Sequence, residues 1–170
     1  MKINRLKKIM KKIENAMAAA AFAEEGEPEA ARSLLCEVRG VLLGLKPGRI
    51  DAKTLKYALN TSKRINARLD ILLVSSASRP SGNAVDPGME LTRFMETLKT
   101  EGVPYRLIQR TGCLKQQIID YTNHENEIAF AVIESPDSLD MDCNKMDKTL
   151  EELWRKLKCP LVVVMEEART

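Results

Sequence analysis

The sequence predicts a parallel α/β domain preceded by a pair of short helices. From Gly40 onward, five short and almost continuous apolar runs recur along the chain. These runs are Val41–Leu45, Ile71–Val74, Tyr105–Ile108, Ile128–Ile133 and Leu161–Met165. Continuous rather than alternating apolarity is typical of strands that are covered on both faces, as in a parallel sheet. The segments between the runs have a helical period, and such an alternation implies right-handed crossovers with helices on both faces of the sheet.

Residues 1–38 precede this pattern and predict a helical hairpin. One apolar stripe recurs at alternating spacings of three and four residues: Ile3, Leu6, Met10, Ile13 and Met17. The stretch Ala16–Ala23 extends this helix, because Ala is the strongest helix former. Gly26 and Pro28 then predict a helix end and the start of a second short helix. We therefore expect a hairpin over residues 1–38 and the α/β domain over residues 39–170.

Four helices are predicted in the connections between the strands. Their apolar stripes are Leu55, Leu59, Ser62 and Ile65; Leu91, Phe94, Met95 and Leu98; Leu114, Ile118 and Tyr121; and Met146, Leu150, Leu153, Trp154 and Leu157. Asp51 is the expected N-cap of the first of these helices. The pair Asp86–Pro87 is expected to start the second, and Gly102 to end it. The stretch Ser75–Gly88 is rich in Ser, Pro and Gly and predicts an exposed loop.

The net charge of +3 conceals an uneven distribution. Six of the 27 basic residues lie among residues 1–12, which hold no acid, so the remainder has 21 basic and 24 acidic residues. A basic helix with an apolar stripe suits an anionic membrane surface or a partner helix. Packing of this stripe on the protein itself or on a second subunit is favoured over a membrane surface, because Ala is a weak membrane anchor. Nucleic-acid binding is not expected from an acidic remainder with few aromatic residues.

The cysteine and histidine content favours a cytoplasmic protein with reduced thiols. The four cysteines, Cys36, Cys113, Cys143 and Cys159, lie far apart and form no C-x-x-C pair, and His124 is the only histidine. Neither a zinc site nor a disulfide is expected from this spacing. Packing is the expected role of Cys159, and a surface position at a helix end is expected for His124.

A doubly wound domain of this length could be a response-regulator receiver, but the required residues are absent. Receiver chemistry needs acidic residues after the first strand, an Asp after the third and a Lys after the fifth. Here Lys46 follows the first strand, Gln109 and Arg110 end the third, and Glu166 and Glu167 follow the fifth. The sequence therefore excludes a receiver.

Three stretches, Val41–Leu45, Gly112–Ile133 and Lys158–Val164, fit a different doubly wound family. Together they resemble the universal stress protein domain, and the last resembles its closing C-P-V-L-V-V strand. The resemblance spans residues 41–165. It implies a Rossmann-like α/β/α sandwich of the adenine nucleotide alpha hydrolase-like type, with a five-stranded parallel sheet in the order 3-2-1-4-5. It also implies a stress-response role and a homodimer through the last strand, Leu161, Val162, Val163 and Val164.

ATP-binding members of that family carry G-x2-G-x9-G-(S/T) after the fourth strand. Counting back from Pro160 places the glycine positions at Glu134, Asp137 and Asp147, and the hydroxyl position at Lys148. Glycines let backbone N–H groups approach a phosphate closely, whereas carboxylates add bulk and like charge. At about 5 Å each pair of like charges costs about 3 kcal/mol at an effective dielectric near 20. Lys46 also stands where the family has an Asp that contacts the nucleoside, so the resemblance implies a lost ATP site.

The crevice of such a sheet lies beyond the carboxyl ends of the strands that flank the reversal of strand order, here the first and fourth. The candidate cleft residues are Lys46, Ser75, Ser76, Glu134, Asp137, Asp147 and Lys148. The acidic run lacks the Gly and terminal Glu of a calcium loop, so a solvated loop is favoured over a metal site.

The sequence contains no nucleophile–base pair and no metal-ligand constellation, so we expect no enzyme activity, cofactor or metal. The leading hypothesis is a non-enzymatic stress-protein-like module that acts through protein contacts. The first alternative is a nucleotide-binding protein, for ATP or AMP, in which Lys46 or Lys148 holds a phosphate. The second alternative is an enzyme that acts on a small cationic ligand in an acidic cleft.

Overall fold

The computed structural model of the chain describes residues 2–24, 26, 39–48, 50–76, 86–125, 127–134 and 149–165. The chain divides into two compact units, residues 1–37 and 38–170. The first unit contains helix α1 (Lys2–Glu24). The second helix of the predicted hairpin lies outside the described residues, so the hairpin stays a prediction. Within the described ranges, no helix is both long and apolar enough to cross a membrane.

The second unit alternates strands and helices. Its elements are β1 (Gly40–Leu45), α2 (Ala52–Ile65), β2 (Arg68–Ser75), α3 (Gly88–Thr100), β3 (Tyr105–Thr111), α4 (Leu114–His124), β4 (Ile128–Ile133), α5 (Thr149–Lys156) and β5 (Leu161–Val163). All neighbouring strands pair in parallel. The order across the sheet is β3-β2-β1-β4-β5. The predicted fold class and strand order are therefore confirmed.

The core lies on both faces of the sheet, with β1 at its centre. All six residues of β1 are buried, because β2 and β4 pair with its two edges and helices cover both faces. Leu43 belongs to a cluster that includes Leu55 of α2 and Leu91 of α3. Leu42 belongs to the opposite cluster, which includes Leu153 of α5. Burial on both faces explains why the strands read as continuous apolar runs.

Gly44 lets helix α4 approach the sheet closely. A Cβ atom at this position would lie 2.9 Å from Ile118 Cδ1 and 3.5 Å from Ile133 Cγ2. The first distance is too short for a real Cβ atom, whereas the second is ordinary van der Waals contact. A larger residue in the middle of β1 would therefore force the buried side chain of Ile118 to move.

The helix ends agree in part with the sequence. Asp51 is the N-cap of α2, as predicted, and its Oδ2 accepts a hydrogen bond from the Thr54 N–H at 3.1 Å. Helix α3 begins at Gly88, one residue later than predicted, and the Gly88 N–H donates to Asp86 Oδ1 at 3.0 Å. Pro87 has no N–H and no side-chain oxygen, so Asp86 supplies the acceptor.

Two residues on the predicted apolar stripes of α2 and α5 are exposed. Ile65 is 41% exposed and Trp154 is 60% exposed. In α2 the buried stripe runs through Leu55, Ala58 and Ser62. In α5 Leu153 is fully buried, and its neighbour Trp154 points elsewhere because consecutive helical residues differ by about 100°.

Candidate functional site

The crevice lies at the carboxyl ends of β1 and β4. Helix α2 follows β1 and packs through Leu55 into one core cluster, whereas α5 follows β4 and packs through Leu153 into the other. The helices that follow these two neighbouring strands therefore lie on opposite faces of the sheet. A crevice opens at such a reversal, and ligands of open α/β sheets bind there.

Three of the candidate cleft residues follow strand ends at this edge. Lys46, Ser76 and Glu134 directly follow β1, β2 and β4, and each is half-buried. The register pairs Gly44 with Ile133, so Glu134 lies level with the end of β1. Ser75, at the end of β2, is 2% exposed. Its hydroxyl lies 3.4 Å from the carbonyl oxygen of Arg110 on the neighbouring strand β3. The other three candidates, Asp137, Asp147 and Lys148, lie outside the described residues.

Glu134 and Asp51 meet at the N-terminus of α2. The backbone N–H of Asp51 donates to Glu134 Oε1 at 2.7 Å. Asp51 Oδ2 in turn accepts from the N–H and the hydroxyl of Thr54, both at 3.1 Å. The first N–H groups of a helix have no partner within the helix and carry a partial positive charge, so this is a place where anions bind. Here two carboxylates of the chain itself accept from these groups.

This arrangement disfavours an anionic ligand beside α2. A phosphate that approached the N–H of Asp51 would have to displace Glu134. It would also meet the carboxylate of Asp51, whose charge is satisfied by the same helix end. Like charges in a half-buried crevice repel each other more strongly than in open water. The site can therefore accept hydrogen-bond donors or cations more readily than polyphosphates.

Cys113 corrects the expectation that all cysteines are reduced. It is the N-cap residue of α4 and forms a disulfide, whose second cysteine lies outside the described residues. The sequence separation of the cysteines could not reveal this, because the fold brings distant segments together. Cys159 carries a free, half-buried thiol, and burial raises its pKa. His124 is exposed at the end of α4, as expected, and its Nδ1 lies 2.6 Å from the carbonyl oxygen of Asp120.

The opposite end of the sheet holds a charged cluster that the sequence analysis missed. The carboxylate of Asp70 on β2 is fully buried. Arg68 donates to it at 2.7 and 2.9 Å, and Arg106 on β3 at 3.0 and 2.9 Å. The hydroxyl of Tyr121 on α4 donates to Asp70 Oδ2 at 2.9 Å. We call these four residues the Asp70 cluster.

The Asp70 cluster keeps its carboxylate ionised. Burial by itself raises the pKa of Asp70, but the hydrogen bonds from Arg106, Arg68 and Tyr121 outweigh burial and lower it. Burial and the neighbouring Asp70 charge raise the pKa of Tyr121, so its hydroxyl stays a donor. The sequence contains an indication of this cluster, because Arg68 and Asp70 directly precede an apolar run. A carboxylate in a buried strand needs a cationic partner.

A second ion pair joins α4 to α5 on the face of the sheet that these helices cover. Lys115, which is 6% exposed, donates through Nζ to Glu152 Oε2 at 2.5 Å. Lys156 donates to the other oxygen of Glu152 at 2.6 Å. The hydrogen bonds from Lys115 and Lys156 lower the pKa of Glu152 to about 2. This pair fixes α5 beside α4.

Among the described residues, no group of three or more His, Cys, Asp or Glu side chains is arranged to hold a metal ion.

No family model matches the sequence, and no curated protein matches it. Solved structures do match the fold. A universal stress protein from Archaeoglobus fulgidus DSM 4304 is 18% identical, with a TM-score of 0.53, over 75% of this chain and 44% of that chain. A universal stress protein in complex with cAMP is 12% identical, with a TM-score of 0.53, over 74% of this chain and 96% of that chain.

Another universal stress protein from Archaeoglobus fulgidus is 12% identical, with a TM-score of 0.50, over 74% of this chain and 93% of that chain. The α/β unit is therefore a doubly wound domain of the Rossmann-like class. Within that class it has the universal stress protein fold, as the sequence predicted. At these identities the comparison defines the fold and leaves the function to be argued from the residues of this chain.

Proposed function

We propose that this protein is a non-enzymatic module with the universal stress protein fold that acts through protein contacts as a homodimer, and that it has lost the triphosphate site. The observation that carries the proposal is the hydrogen bond from the Asp51 N–H to Glu134 at the mouth of the crevice. A carboxylate of the chain takes an anion-binding position. Two further carboxylates, Asp137 and Asp147, stand in the sequence where the family has glycines.

The open edge of β5 supports a protein-contact function. Strand β5 is the last strand of the sheet and pairs with β4 alone among the described residues. The carbonyl of Pro160 and the N–H of Val164 both bond to β4. Because bonding directions alternate along a strand, the backbone groups of Leu161 and Val163 point away from β4. An apolar edge of this kind pairs readily with another strand.

A second copy of the chain is the partner that this edge fits. Two β5 strands related by a two-fold axis run antiparallel, so each can present Leu161 and Val163 to the other. The side chains of Leu161–Val163 are half-buried within one chain, and pairing would cover them further. The proposed dimer therefore joins the two sheets through their β5 edges.

Replacing Val163 with Pro tests the proposed β5 pairing. The substitution removes an outward N–H without removing a bond to β4. We expect sedimentation equilibrium to show roughly tenfold weaker self-association, because the edge hydrogen bond donated by residue 163 is lost from both copies. The control Val163→Thr keeps the N–H and the branched shape, and it should associate like the parent chain. Equal association constants for the Pro variant and the parent would contradict pairing through β5.

A second candidate function is nucleotide binding through altered contacts. One structure with this fold and a TM-score of 0.53 is a universal stress protein in complex with cAMP. A cyclic nucleotide carries one phosphate charge and would meet less repulsion from Glu134 than a triphosphate. Lys46 at the end of β1, or Lys148, would hold that phosphate.

Thermal-shift titration with cAMP and AMP separates the two candidates. The protein-contact proposal predicts no saturable stabilisation by either nucleotide. Saturable stabilisation that is lost in Lys46→Met would favour the nucleotide-binding candidate. The dimer test by sedimentation is independent of this result, because β5 and the crevice are different parts of the sheet.

A further inference from the structure

Helix α1 is covered on one side and open on the other. Ala19 is 2% exposed, whereas Met10, Ile13 and Met17 are 59%, 54% and 70% exposed. The exposed three recur at spacings of three and four residues, and in the sequence the same spacing continues back through Leu6 and Ile3. We call Met10, Ile13 and Met17 the α1 seam.

The spacing of the α1 seam is typical of a helix that packs along another helix. Apolar residues that alternate strictly at three and four residues form the seam of a coiled coil, and the exposed Ile9 widens this seam on one flank. A helix that lies on a membrane has a broader apolar face with large anchors such as Trp, Phe or Leu. The described side chains beside the seam include Lys7 and Glu14 on one flank, and Ile9 and Ala16 on the other.

The flanking charges select the direction and register of the partner helix. We propose that α1 pairs antiparallel with α1 of a second copy of this chain, with Met10 opposite the partner's Ile13. In this register Lys7 lies beside the partner's Glu14, and Glu14 beside the partner's Lys7. The two-fold symmetry thus produces two opposite-charge pairs from one sequence. The other flank brings together Ile9 and the partner's Ala16, which are both apolar.

Other arrangements of the same two helices bring like charges together or separate Lys7 from Glu14. Sliding the antiparallel pair by one heptad brings Glu14 against the partner's Glu14. A parallel pair brings Ile9 against the partner's Glu14 and makes no contact between Lys7 and Glu14. Flanking charges specify coiled-coil partners in this way, both by attraction in the correct register and by repulsion in the wrong ones.

The proposed contact lies on a different element from β5 and does not rest on the function proposed above. Lys7 and Glu14 are both exposed, so they are available to a second copy. The exposed alanines at Ala16 and Ala20 let two backbones approach closely beside the methionines. The chain would then have two surfaces for self-association, and each can be removed separately.

Charge reversal in the full chain tests the pairing of α1. In the Val163→Pro background, which removes the β5 contact, we expect that self-association persists. Lys7→Glu and Glu14→Lys should each weaken it roughly tenfold, because two pairs turn from attractive to repulsive. The double variant should restore the association, and an equimolar mixture of the two single variants should form the mixed dimer. Circular dichroism serves to verify that helix content is equal in all variants.

The outcomes that overturn the proposal are distinct. Equal self-association in the parent and both single variants would mean that the seam does not join two copies. Single-variant losses that the double variant does not restore would reject the proposed register. Cosedimentation of the parent chain with phosphatidylserine vesicles, combined with no effect of the charge reversals on mass, would assign the seam to a lipid surface.

Discussion

The two ends of the sheet both hold carboxylates, but they balance the negative charge by different means. At the amino end, Asp70 is fully buried between two guanidinium groups and a phenol. At the carboxyl end, Glu134 is half-buried and accepts from a backbone N–H at a helix N-terminus. The first carboxylate joins β2, β3 and α4, so it stabilises the fold. The second accepts from an N–H that could otherwise bind an anion, and we propose that it limits which ligands the crevice can bind.

The largest difference between the two ends is expected from Asp70→Asn. The substitution weakens the charged hydrogen bonds from Arg68 and Arg106, and because Arg106 is partly exposed the loss is about 2 kcal/mol. Urea denaturation should show this loss in the free energy of unfolding. The control is Glu101→Gln, which removes the partner of Lys63 in an exposed salt bridge and should cost less than about 0.5 kcal/mol. An Asp70→Asn loss as small as the control would contradict a stabilising role for the Asp70 cluster.

The same cluster predicts how stability depends on acid. Hydrogen bonds from Arg106, Arg68 and Tyr121 hold the pKa of Asp70 below its ordinary value of 3.8 in the folded protein, so protons bind the unfolded chain more tightly. The stabilisation is therefore complete above about pH 4 and is lost as the pH falls toward the folded pKa. Between pH 5 and pH 3 the parent chain should therefore lose more of its free energy of unfolding than Asp70→Asn does.

The check is urea denaturation of both proteins at several pH values. Glu152 has its own lowered pKa and titrates in both proteins, so it does not affect the difference between them. If the free energy of unfolding depends on pH in the same way in the parent chain and in Asp70→Asn, the arginines do not stabilise the ionised form of Asp70.

A smaller effect is expected from Glu134→Gln at the carboxyl end. The amide still accepts from the Asp51 N–H, but the negative charge at the N-terminus of α2 is lost, which costs about 0.5 kcal/mol. The free energy of unfolding from urea curves checks this. A loss as large as that of Asp70→Asn would mean that Glu134 is part of the stabilising core, and the contrast between the two ends would fail.

Much of the fold could be predicted from the sequence, because a strand that is buried on both faces consists of a continuous run of apolar residues. The apolar run at Val41–Leu45 became β1, the central strand. The run at Ile71–Val74 predicts the middle of β2. It does not include the first three residues of the strand, because Asp70 and Arg68 interrupt the apolar pattern. Their burial depends on the register of β2 with β3, which pairs Asp70 with Arg106, and a single segment does not contain that information.

The candidate site was predicted less completely. Glu134 was recognised because it occupies a glycine position of the resembling family. Its hydrogen bond to Asp51, 83 positions earlier in the chain, depends on how closely α2 packs beside the end of β4. Trp154 belongs by its spacing to the predicted apolar stripe of α5, but it is exposed in the structure because Leu153 beside it faces the core. The disulfide of Cys113 likewise depends on tertiary proximity.

The most direct test of the central claim is isothermal titration calorimetry with ATP and Mg²⁺ on the parent chain and on Glu134→Gly. We expect no saturable heat from the parent chain at millimolar ATP, because its own carboxylates accept from the N-terminus of α2. Stoichiometric, saturable ATP binding by the parent chain would contradict it.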